Sequence, residues 1–133
     1  MTTLLEPTES SLSRPYWAAS RNERLVLPFC TACGAFFWYP RPVCPTCLSD
    51  GIEWRPAAGT GVVHAVTVLN RPGPGRDPKE GPYAVAIIAL AEGVRMLSNV
   101  VGVAPGEVAV GTPVRVVWHA LADGRKLPMF TPA

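Results

Sequence analysis

Cys30, Cys33, Cys44 and Cys47 are all the thiols this chain has. They form two CxxC pairs with ten residues between them. Two intervening residues let both thiolates of a tight turn point at one metal ion. Two such turns facing each other build a tetrahedron of four sulfurs. Gly34 follows the first pair, where left-handed backbone swings N–H groups toward the sulfurs. Pro45 sits inside the second pair and presets its φ. A closed four-cysteine site leaves no position for water or substrate, so its metal holds a fold and does no Lewis-acid chemistry. Structural Zn2+ is the expected cofactor. Iron in a rubredoxin-type site is the other reading, but Leu48 follows the second pair, where rubredoxin-like knuckles tend to carry glycine.

Little else in the chain is equipped for catalysis. With the cysteines given to metal, no thiol nucleophile remains. His64 and His119 both fall inside strand-like runs, where a histidine is more often structural or solvated than a general base. There is no Gly-rich phosphate motif, no paired-carboxylate pattern and no Ser/His/Asp order, so no catalytic residue is expected. Twelve Lys+Arg face ten Asp+Glu, a net charge of +2, and the arginines are scattered among acids. A nucleic-acid binder shows a basic stripe instead. The first 15 residues have neither a basic n-region nor an apolar h-region. The longest apolar run, Ala84 to Ala91, is far short of the ~20 residues that span a bilayer. A cytoplasmic, non-membrane protein is expected, and in a reducing compartment paired CxxC motifs are metal ligands and not disulfides.

The elements that must position the cysteines are mainly β. With 133 residues, 15 prolines and 12 glycines, the chain fits one turn-rich domain plus a small module. Residues 1–24 hold a polar tail and a short helix over Arg14–Asn22, with Ser13 as N-cap and Pro15 in the first turn. Residues 25–56 hold the ribbon: a strand from Leu25 to Phe29, both knuckles, and a closing strand Ile52–Trp54. Between the knuckles run Phe36-Phe37-Trp38-Tyr39, which cannot all point inward on a strand. One pair can cover the metal, leaving the other toward solvent, the neighbouring module or a partner; the equal alternative is that so small a module uses every aromatic for its core. Residues 57–133 read as a five-stranded barrel. Tyr83–Leu90 is so continuously apolar that both of its faces should be buried. Val114–Leu121 alternates, and Asp123-Gly124 signals a two-residue hairpin. An OB-fold fits best, with an SH3-like barrel second. The loop Asn70–Pro82 carries Arg71, Arg76 and Lys79, which would suit a phosphate.

The order of these motifs resembles one family. Pro15-Tyr16-Trp17, Cys30/Cys33/Gly34, Pro40-Arg41, Cys44-Pro45/Cys47 and Gly59/Gly61-Val62 carry the likeness. So do Pro82-Tyr83, Leu90 with Glu92-Gly93-Val94-Arg95, Gly111-Thr112 with Val114, and Pro128/Phe130. The family is the acyl-CoA-associated proteins built from a rubredoxin-like zinc ribbon plus an OB-fold, catalogued as domain of unknown function thirty-five. The resemblance covers residues 13–132. It implies a non-catalytic accessory subunit that pairs, in a hetero-oligomer, with a thiolase-superfamily enzyme: a thiolase, an acyltransferase or a lipid-transfer-protein-like aldolase. Such subunits support the partner's fold or help hold acyl-CoA. On that reading Tyr16, Trp17, Phe37, Trp38 and Tyr39 are candidates for the partner interface, and Arg41 for a CoA phosphate contact. The alternative from a different class is a single-stranded nucleic-acid binder, since zinc ribbons and OB-folds both serve there. Such a groove needs a basic track with interleaved aromatics, and the barrel strands offer only Tyr83 and Trp118 with Arg95 and Arg115.

Overall fold

The structure is a computed structural model that describes residues 5–71 and 77–133. It is mainly β, with one short helix. Helix α1 spans Arg14–Ser20, shorter at its C-terminal end than the sequence suggests. Ser13 takes the N-cap position without capping by its side chain, because its hydroxyl is bonded to Ser10 instead. Strands β1 (Val26–Cys30), β2 (Ala35–Phe36) and β3 (Ile52–Pro56) make an antiparallel sheet in the order β2-β1-β3. This is the ribbon, and both knuckles hang from its open end.

Five strands then close a barrel: β4 (Thr60–Leu69), β5 (Tyr83–Leu90), β6 (Arg95–Val100), β7 (Pro113–Ala120) and β8 (Lys126–Pro132), in the order β4-β5-β6-β8-β7. Strand β4 pairs with β5 along most of its length and with β7 at Thr60–Val62. A bulge between Val63 and Ala65 lets this strand serve both neighbours, since an extra residue bends the strand and increases its twist. The one parallel contact, Val100 against Phe130, closes the circle. This is the OB-fold. Where such barrels often carry a helix, there is only a 3-10 turn, Pro105–Glu107. At Gly59, with φ +77°, an added Cβ would stand 2.6 Å from Val116 Cγ1, which explains the glycine where ribbon meets barrel.

The β7–β8 connection differs from the two-residue hairpin. Leu121 N–H donates to Arg125 O, so Ala122–Gly124 form a three-residue loop. The loop Asn70–Pro82 is described only at its ends. Asp77 accepts from Lys79 N to start a 3-10 turn at Pro78–Glu80. Arg71 and Lys79 are exposed, and Arg76 lies outside the described residues.

One apolar core runs through all three segments. It holds Tyr16 and Trp17 from the helix, Leu25 and Leu27 from the ribbon, and Val63, Ala86, Ile88, Met96, Val114 and Phe130 among others from the barrel. The expectation for β5 needs correction. Ala84, Ala86, Ile88 and Leu90 are buried, but Val85, Ile87 and Ala89 on the other face are only half-buried.

Candidate functional site

The two knuckles are near copies of one another. Cys33 N–H donates to Cys30 Sγ at 3.3 Å, and Gly34 N–H to Cys30 O at 2.8 Å. In the second, Thr46 N–H donates to Cys44 Sγ at 3.4 Å and Leu48 N–H to Cys44 O at 2.9 Å. Each turn ends in left-handed backbone, Gly34 at φ 69° and Leu48 at φ 62°. The second knuckle therefore places a leucine where the first has glycine.

The turns bring all four sulfurs within 4.8 Å of one another. Cys30 Sγ lies 3.6 Å from Cys47 Sγ, and Cys33 Sγ 3.8 Å from Cys44 Sγ. A tetrahedral Zn–S length of ~2.3 Å requires S···S edges of about 3.8 Å, and these two edges match it. Cys30 and Cys44 are buried and Cys33 and Cys47 exposed. The four thiols differ in how readily they ionise. Hydrogen bonding to Cys47, then burial, pushes Cys33 up to about 12. Backbone N–H groups of Cys47 and Thr46 bring Cys44 down to about 6. A divalent ion removes this inequality by holding all four as thiolates. Four protein ligands would leave no open position on a tetrahedral ion, which is the pattern of structural sites.

The aromatic run divides differently from the expected pairs. Phe37 alone covers the cluster, buried with Cys30 and Cys44 and backed by Ile52. Phe36 and Trp38 pack on the main core, and Tyr39 stays exposed at 55 %. Tyr16 and Trp17 are buried too, so they hold the helix to its own chain. Tyr16 meets Trp17 edge to face and Trp38 and Trp54 at a tilt, at centroid distances of 5.1, 5.2 and 6.4 Å. Burial, with nearby Tyr39 adding to it, raises the Tyr16 phenol well above its ordinary range. Of the five aromatics named for a partner, Tyr39 is exposed, Trp38 half-buried and the other three buried.

A latch that the sequence did not reveal fastens α1 to the β7–β8 loop. The Arg125 guanidinium lies 4.7 Å above the Trp17 ring and 2.6 Å from Asp123 Oδ2, at 6 % exposure. Arg21 Nη1 donates to Asp123 O, and Lys126 Nζ meets Glu23 at 2.7 Å. The Arg125 backbone N–H, then its side chain, holds the Asp123 carboxyl below its ordinary value of 3.8. In sequence, Arg125 looked like another scattered surface charge. Only its spacing from Asp123 hinted otherwise. Glu92 makes a second tie, accepting from Ala58 N–H at 2.9 Å and so fixing the ribbon–barrel junction to the β5–β6 turn.

Between the aromatic run and the barrel lies a groove of about 380 Å³, walled by Trp38, Tyr39, Met96, Leu97, Pro128 and Met129 among others. Arg41 stands beside it on a second hollow of about 280 Å³ with Asp50 and Trp54. It is exposed and makes no ion pair among the described residues. His64 is exposed at the β4 bulge and His119 half-buried on β7. No helix among the described residues is long and apolar enough to cross a membrane.

Comparison with known proteins gives this geometry a family. Residues 17–53 match the model of the ChsH2 rubredoxin-like zinc ribbon domain, and residues 54–119 that of the ChsH2 C-terminal OB-fold domain. A probable enoyl-CoA hydratase alpha subunit of Thermomonospora curvata is 37 % identical over 118 residues, 89 % of this chain but 36 % of that protein. The chain thus spans about a third of that relative. A DUF35 domain-containing scaffold protein of Methanothermobacter thermautotrophicus is 33 % identical over 95 residues, 71 % of each chain. Among solved structures, a chain of the Ltp2-ChsH2(DUF35) aldolase superposes with a TM-score of 0.85 at 34 % identity, covering 96 % of this chain and 98 % of that one. With both modules matched in order and a scaffold relative matched over most of its length, this chain belongs to the DUF35 family of ChsH2-type zinc-ribbon and OB-fold proteins.

Proposed function

We propose that the chain is a non-catalytic accessory and scaffold subunit of an acyl-CoA-processing complex in the cytoplasm. Its partner is a thiolase-superfamily enzyme: a thiolase, an acyltransferase or a lipid-transfer-protein-like aldolase. The observation that carries this reading is the nearly end-to-end likeness to the DUF35 chain of the Ltp2-ChsH2(DUF35) aldolase. The chemistry of the chain agrees. Its thiols converge on a closed centre suited to Zn2+, and its buried polar groups tie segments together instead of lining a reactive cleft. Cys30, Cys33, Cys44 and Cys47 would hold Zn2+, which would fix the knuckles and, through Phe37, the aromatic run beside the groove. Arg41, exposed and without a counter-ion among the described residues, is the side chain we assign to a CoA phosphate.

The nucleic-acid reading loses ground here. Trp118 packs on the core instead of standing outward. Among the described residues of β5 and β6, Tyr83 is the only aromatic, so the stacking track that a single strand requires is missing.

The test is recovery of the tagged chain from its host at low salt, followed by gel filtration and mass spectrometry. The expected result is a stoichiometric thiolase-superfamily companion whose turnover of CoA thioesters falls when this subunit is withdrawn. Within that complex Arg41→Ala should raise KM for the thioester about threefold to fivefold, the scale of one exposed ion pair. A chain that elutes alone and binds single-stranded DNA with steep salt dependence would overturn the reading.

A further inference from the structure

Strand β5 is apolar at every position from Tyr83 to Leu90, the pattern of a strand covered on both faces. The chain covers only one. On the outer face, the register places Thr67, Val85 and Asn99 in one row and Ala65, Ile87 and Leu97 in the next. Val62, Ala89 and Arg95 follow, with Leu69 beside Tyr83 at the other end. Arg95, at one end, is the only charge in these rows. Val62, Leu69 and Leu97 are exposed at 41, 40 and 58 %. A free-standing barrel ordinarily turns polar side chains outward along such strands, and a contiguous apolar face marks an interaction site.

This face does not stop at β6. Leu97 lines both a shallow hollow of about 210 Å³ over β4, β5 and β6 and the groove of about 380 Å³ that leads to Trp38 and Tyr39. No charged side chain among the described residues lines either one, which is the composition of an interface centre. From Tyr83 to Ala89 the sheet runs about 20 Å, and its three strands span about 10 Å between outer axes. One side of a standard interface needs about 800 Å², so the sheet face makes its centre and the groove continues it.

We propose that the outer face of β4, β5 and β6, centred on Ile87 and Leu97 and continuing into the groove, seats the thiolase-superfamily enzyme subunit. This rests on the function proposed above and adds the place of contact. A second copy of the chain fits less well. An isologous contact sets the same patch against itself, placing groove opposite groove, whereas a partner with a convex apolar element fills the hollow. The near-complete match to a chain named as part of an aldolase complex favours the enzyme as that partner.

The test uses the full, metal-loaded chain and the companion subunit recovered with it. Leu97→Lys adds a charge at an outward position and leaves the core intact. Val110→Lys does the same at a 66 % exposed position outside these rows. Metal content and melting temperature should be unchanged in both. Affinity for the companion should fall about 30-fold or more in Leu97→Lys, the scale of an interface hot spot, and stay at the wild-type value in Val110→Lys. If the wild type binds the companion and Leu97→Lys binds equally well, the location is wrong while the proposed function stands. If the wild type recovers no thiolase-superfamily subunit, both fail together. A free chain that light scattering finds dimeric, and that Leu97→Lys makes monomeric, would assign the face to a second copy and overturn the proposal.

Discussion

Around its sulfurs the ribbon buries only Cys30, Phe37 and Cys44, with Ile52 partly buried beside them. The barrel instead wraps five strands over Val63, Ile88, Met96, Val114 and Phe130 and borrows Leu25 and Leu27 from the other face of the ribbon. The knuckle end has little apolar area of its own, and small modules of that kind are ordinarily held by metal. The barrel depends on packing. The contrast teaches that order in this chain has two sources, and that they meet along β1: Leu27 serves the packed core and Cys30, three residues on, serves the metal.

The largest test of this division removes the ion, by a strong chelator or by Cys33→Ser. About 10 kcal/mol or more of metal-binding free energy is lost. Hydrogen exchange should show the Gly34, Cys44 and Leu48 amides losing protection while paired β5 and β6 amides keep theirs. Loss at both places would show one cooperative unit and break the comparison. Next in size is Phe130→Ala, at a side chain with no exposure. It should cost about 3–5 kcal/mol in urea unfolding and leave the metal stoichiometry unchanged.

The legibility of the two regions also differs. Cysteine spacing and the Gly and Pro positions around it are local properties, so the metal centre could be read directly from sequence. The barrel strands and their order of appearance were readable for the same reason. The aromatic partners were not. Whether Tyr16 and Trp17 face a partner or their own core depends on where α1 docks, and that is set by Asp123 and Arg125 more than a hundred residues away. Burial of Arg125 is equally non-local. Apolar periodicity pointed to burial on both faces of β5, and it had no means of showing that this chain leaves Val85, Ile87 and Ala89 half-buried.

Smaller effects sharpen the picture within each region. Leu48→Gly relieves a leucine held at φ 62° and 72 % exposed. A left-handed residue with a Cβ costs roughly 1–2 kcal/mol, partly offset by the greater unfolded freedom of glycine. A net gain of about 0.5 kcal/mol, inside the range of about 0–1.5 kcal/mol that the two costs leave, should appear as slower metal release to a chelator. If Leu48→Gly releases metal at the wild-type rate, the strain is absorbed elsewhere. The smallest effect is electrostatic. Because Asp123 has a depressed folded value, the unfolded chain binds more protons in the window from its ordinary 3.8 downward. Stability from this group is full above that window and is lost as pH falls through the folded value. Asp123→Asn should flatten the acid limb of melting temperature against pH and leave its neutral part nearly parallel to wild type.

The docking of α1 has a consequence for how the chain is made. Lys126 N–H bonds Ser20 Oγ across 106 positions of sequence. Synthesis at about 5–20 residues per second puts roughly 5–20 s between the two residues. Throughout that interval Trp17 is without Arg125, whose guanidinium lies over its ring. Tyr16 has Trp38 and Trp54 to pack against much earlier, so Trp17 is the aromatic that waits for the β7–β8 loop. Docking of α1 is thus completed in two stages, the ribbon contacts first and the barrel latch last.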